Sequence, residues 1–69
     1  MFLVLELDLD AGLVDVATPH LRRHAAWTDA LAVATRGLGV PEDAAKEALI
    51  KDAPIGAGSR RVQVVEVRL

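Results

Sequence analysis

Sixty-nine residues make a single domain, of a size at which folding buries only about 60% of the surface that the unfolded chain exposes. There is no Cys, which excludes disulfides, thiolate zinc sites and cysteine nucleophiles, and eight basic against ten acidic residues give no general attraction to nucleic acid or anionic lipid. Apolar residues reach 52% although the only aromatics are Phe2 and Trp27, so the core must be built from Ala, Leu and Val, and chains with so little area to bury often gain it by self-association.

Residues 2–9 place Leu3, Leu5, Leu7 and Leu9 at odd positions and Phe2, Val4, Glu6 and Asp8 at even ones. Side chains alternate faces along a strand, so the pattern predicts a strand whose leucine face meets the core. No basic residue precedes this apolar run and Glu6 interrupts it, so no targeting signal is expected in it. Nor does any stretch have the length of a membrane-spanning helix, and a cytoplasmic protein is the expectation. Asp10-Ala11-Gly12 reads as a turn, after which 13–17 can return as a short third strand.

Thr18-Pro19 has the form of a helix start, a hydroxyl N-cap followed by proline at the first helical position. The helix it predicts spans 19–36 and sets His20, His24, Trp27, Leu31 and Ala34 on one face, taken as the buried one. Gly37-Leu38-Gly39 ends it. Pro41 with Glu42 and Asp43 opens a second helix over 41–52, whose apolar stripe is Ala44, Ala45, Ala48 and Leu49 and which Pro54 closes. Residues 55–59 read as a flexible connection. The last strand, 60–69, sets Val65, Val67 and Leu69 on a face like that of the leucines, with Val62, Val64, Glu66 and Arg68 on the other.

The fold expected is therefore α+β in one domain, 1–69: a small sheet of N- and C-terminal strands with two helices packed on its leucine face. That arrangement leaves Phe2, Val4, Val62 and Val64 uncovered, and an exposed apolar patch on so small a protein marks an interaction surface. The chain has no Asn, one Gln and only the initiator Met. Depletion of thermolabile side chains accompanies thermostable proteins, and a GC-rich coding sequence produces the same bias.

Side chains with chemical potential are few. His20 and His24, four apart on a helix, would share a face and could grip one metal with Asp8, Asp10 or Asp15 as a third ligand. They equally suit two ordinary histidines in an amphipathic first turn, and no Glu follows the first as in a zinc-protease helix. Asp8-x-Asp10-x-Gly12 begins like a calcium loop, but Pro19 stands where the closing bidentate Glu is needed. Gly56-Ala57-Gly58-Ser59-Arg60-Arg61 could hold an anion, yet it lacks the Lys-Ser/Thr pair of a phosphate loop and a strand follows it. Arg22, Arg23, Arg60 and Arg61 are the candidates for contact with nucleic acid. A helix-turn-helix reading of 19–52 meets a second helix on which Glu42, Asp43, Glu47 and Asp52 outnumber Lys46 and Lys51. No catalytic residue and no cofactor is read from the sequence.

Gly37-Leu38-Gly39-Val40, Glu42, the alanine-rich helix and Ala53-Pro54 resemble the helix-turn-helix portion of the C-terminal domain of the ribosomal stalk protein. The resemblance covers barely 20 residues and implies close local packing of two helices. The lysine-rich factor-binding surface of that family is not matched by Glu42, Asp43, Glu47 and Asp52, so no function is carried across. The expected function is a small non-enzymatic protein that binds a macromolecular partner, as a regulator, inhibitor or assembly factor, and forms a homodimer through Phe2, Val4, Val62 and Val64. The alternatives are a dimeric nucleic-acid-binding regulator using the four arginines and a metal-binding protein using His20 and His24.

Overall fold

Asp8 is where the chain first turns. In the computed structural model, which describes residues 1–68, its Oδ1 accepts hydrogen bonds from the backbone N–H groups of Asp10 (3.0 Å) and Ala11 (3.3 Å). Gly12, at φ 66°, completes the reversal, and β1 (Phe2–Asp8) is returned antiparallel as β2 (Leu13–His20). A second hairpin forms near the other end, where Gly58 at φ 61° turns β3 (Ile55–Ala57) into β4 (Arg60–Glu66). The two hairpins join along β1 and β4 into one antiparallel sheet of order β2-β1-β4-β3. The pairing of the chain ends is thus the central seam, from Phe2 opposite Glu66 to Asp8 opposite Arg60.

Between the hairpins lie α1 (Arg23–Ala32), a π-helical turn at Val33–Gly37, and α2 (Glu42–Ile50). The fold is α+β, with four strands where the sequence suggested two or three. The strand foreseen at 13–17 runs on to His20, which displaces the first helix: α1 begins at Arg23 and not at residue 19. Pro19 sits instead in an edge strand, where its missing N–H takes nothing from the sheet. Residues 55–57, read as part of a flexible connection, form β3 and bury Ile55 to 2% exposure.

The face of the sheet that the helices cover is opposite to the one expected. Val4 and Val62 are fully buried and Phe2 and Val64 pack half-buried beside them, so these four residues belong to the core and not to an open interface. The register explains the inversion. Side chains directly opposite in an antiparallel ladder share a face, and Leu5 lies opposite Gln63 while Leu7 lies opposite Arg61. Burying the leucines under the helices would bury that amide and that guanidinium with them, at a cost of several kcal/mol for an unpaired charge. On the even face Val4 meets Val64, and Val62 meets both Glu6 and Ile55; the charges there fall toward the rim.

The helices approach the sheet through small residues. Ala26, Ala30 and Ala34, one turn apart, are fully buried, whereas Trp27 and Leu31 flank them half-buried and His24 is exposed. The alanine row, not the tryptophan row, is the seat of α1. On α2, Ala45 and Leu49 are buried, Ala48 is half-buried and Ala44 is exposed. Among the described residues, half of the eight buried core residues are alanines, so the core contributes little apolar area.

Candidate functional site

The side chains singled out for chemistry are scattered by the fold. With β2 extended to its C-terminal residue, His20 leaves the helix that would have aligned it with His24. Its Nε2 lies 2.8 Å from Asp29 Oδ2, tying the end of β2 to α1. His24 stands in the first turn of α1 and is exposed. Among the described residues no three His, Asp or Glu side chains converge as metal ligands. Asp8 is engaged in its own turn, and Asp15 faces Arg60 at 3.0 Å. Ser59 lies beyond β3 beside Leu9, at the end of the sheet opposite to His20, which pairs with Phe2. Phe2 and Leu9 are seven residue steps apart, about 23 Å in an extended strand, so the Ser59 hydroxyl does not meet the His20 imidazole.

The four arginines occupy these same two ends. Arg22 precedes α1 and is exposed; Arg23 Nη2 reaches Glu66 at 3.8 Å and its guanidinium lies 5.3 Å from the centre of the Phe2 ring. At the far end Arg60 pairs with Asp15 at 3.0 Å and approaches Asp8 at 4.0 Å. Arg61 Nη1 donates to the carbonyls of Gly58 and Arg60, both at 2.7 Å. The guanidinium lies over Gly56, where a Cβ would come within 2.6 Å of its Nε. Glycine at that position therefore clears the path of the arginine.

What the fold leaves open is the leucine face. Leu3, Leu5 and Leu7 of β1 share it with Val65 of β4 and with Ala17 and Pro19 of β2, by their registers. Among the described residues no helix covers it, because both helices pack on the Val4 and Val62 side. Past the bulge in β2, Val14 lies opposite Leu7 and is 54% exposed. The polar groups in β4 on this face are Gln63, opposite Leu5, and Arg61, whose charge is folded back onto its own turn. The sequence signal for this surface was present in β4: Arg61 and Gln63 at odd positions mark which side stays wet.

A groove of mixed character lies on the helical side. Its volume is about 520 Å³ and it separates α1 and the C-terminal end of α2 from β4, with Phe2, Trp27, Leu49, Ile50 and Val64 in its walls and Arg23, Asp52 and Glu66 among its polar groups. Ile50 is 74% exposed there. Among the described residues no helix is long and apolar enough to cross a membrane.

No protein-family model matches the chain, and neither a curated protein nor a solved structure matches it.

Proposed function

We propose that this chain is a non-enzymatic binding protein that works as a homodimer, with the leucine faces of two sheets packed on one another. The observation that carries this reading is the uncovered face formed by Leu3, Leu5, Leu7 and Val65. A monomer of 7.4 kDa is expected to expose about 4,200 Å², and this chain exposes 4557 Å². The excess accords with a surface made to be covered. Three strands of seven or eight residues and one of three give a footprint of about 400 Å² per chain at ordinary strand spacing. Side-chain relief enlarges the accessible area, and a pair removes on the order of 1,200 Å², at the lower limit of specific interfaces.

Face-to-face packing is favoured over edge pairing. Edge strand β2 carries a bulge opposite the Glu6–Leu7 step and holds Pro19, and edge strand β3 has only three residues. Such features block the addition of further strands at those two edges. Arg61 lies toward one end of the face, opposite Leu7, with its guanidinium bonded to the carbonyls of Gly58 and Arg60, so its charge is proposed to stay at the rim of the pair.

Light scattering on the purified chain at tens of micromolar tests the reading. The expected result is a dimer that Leu5→Glu converts to a folded monomer; a wild-type monomer at that concentration overturns it. The nucleic-acid reading draws less support, because Arg23, Arg60 and Arg61 are each held by an acceptor of this chain and lie at two separate ends. The role we favour is that of a regulator, inhibitor or assembly factor, with chemistry supplied by a partner.

A further inference from the structure

The outer edge of β4 is only half covered. Met1 and Val67 exchange backbone hydrogen bonds at 2.8 and 3.3 Å, and Leu9 N–H donates to the Ser59 carbonyl at 2.8 Å. Hydrogen-bonded pairs alternate along an antiparallel ladder, so odd residues of β4 turn their N–H and C=O groups to β1 and even ones turn theirs outward. Outward-facing Arg60 and Val62 meet Ala57 and Ile55 of β3. The line then stops, since Pro54 has no N–H and the N–H of Ala53 turns away to the carbonyl of Ala48 at 2.9 Å. Among the described residues no strand lies beside Val64 and Glu66, whose outward donors and acceptors are left presented, and the groove containing Trp27, Leu49 and Ile50 opens along that edge.

We infer that this edge and groove bind an extended segment of a partner protein, which adds to the sheet as a short strand beside residues 63–66. The inference deepens the reading of the chain as a binding protein but uses the surface opposite to the proposed dimer face. Main-chain bonds to Val64 and Glu66 hold the segment, and the side chains opposite those two residues point toward the helices. One of them is apolar, to fill the space between Trp27 and Ile50. The other, two positions along the segment and so on the same face, is basic: Arg23 and Glu66 face each other at 3.8 Å, whereas Asp52 has no ion pair among the described residues. That charge selects against a second copy in this groove. Its β2 is bulged and holds Pro19, and its β4 would bring a second Glu66 beside the Glu66 and Asp52 already at the site.

Trp27 is the sole tryptophan and reports on the groove directly. The experiment selects from a displayed library of random heptapeptides against the full chain, then titrates the synthesised winner while following Trp27 emission. The expected winner carries an apolar residue and a Lys or Arg two positions apart, on one face of the strand, and shifts the emission. Methylating the peptide amide nitrogens that face β4 removes those donors and weakens binding about tenfold for each bond lost. Ile50→Asp, at a position already exposed, weakens binding comparably while leaving circular dichroism unchanged. Failure to enrich any peptide, indifference to N-methylation, or loss of the wild-type dimer on Ile50→Asp overturns the inference. Light scattering without peptide reads the sheet-face dimer separately, so failure of one proposal is distinguishable from failure of the other.

Discussion

Val4 and Leu5 are neighbours in β1 on opposite faces of the sheet, and truncating each to alanine measures which face is the core. Val4 is 1% exposed beneath the helices. Val4→Ala removes two methyl groups worth about 0.8 kcal/mol each in transfer. The void they leave, on the order of 50 Å³ at about 24 cal/mol per Å³, adds roughly 1.2 kcal/mol. The sum, about 3 kcal/mol, is a large share of the roughly 3.5 to 10 kcal/mol expected for a domain of this length. Leu5 is half-buried on the uncovered face, and Leu5→Ala in the monomer should cost less than about 1 kcal/mol. Urea unfolding followed by far-ultraviolet circular dichroism decides the comparison. It is run at the lowest workable protein concentration, so that association contributes little to stability. A larger loss for Leu5→Ala than for Val4→Ala would refute the assignment of faces on which the dimer proposal rests.

Two further substitutions probe backbone positions. Asp52 adopts φ 56° just beyond α2, a left-handed conformation in which glycine is the usual residue, so Asp52→Gly should raise stability by about 0.5 to 1 kcal/mol in the same unfolding assay. Gly56→Ala should lift Arg61 from its place, because the added Cβ falls 2.6 Å from its Nε, and forfeit the bonds to Gly58 and Arg60. The loss should be about 1 kcal/mol. Arg61→Ala in the same chain should remove most of that penalty, so a double-mutant cycle that proves additive would contradict the packing described.

Much of the local structure was legible in the residues themselves. The alternation of residues 2–9, the turn at Asp10-Ala11-Gly12, the matched pattern of the last strand and the acidic opening of α2 all reflect periods of two or 3.6 and turn chemistry, which operate within a few residues.

What only the tertiary structure decided was which local signal prevails and which face is inside. Thr18-Pro19 carries a valid helix-start signal, but pairing with Leu3 and Val4 holds both residues in β2. That pairing separates His20 from His24 and gives His20 to Asp29 instead. The leucine face of β1, read alone, looks like the core. Only its register against β4 sets Gln63 and Arg61 beside those leucines and valines beside Val4. Burial is a property of the paired sheet, because the cost of desolvating a cross-strand neighbour falls on the whole face. A strand taken singly therefore identifies its apolar side without settling which side the helices cover.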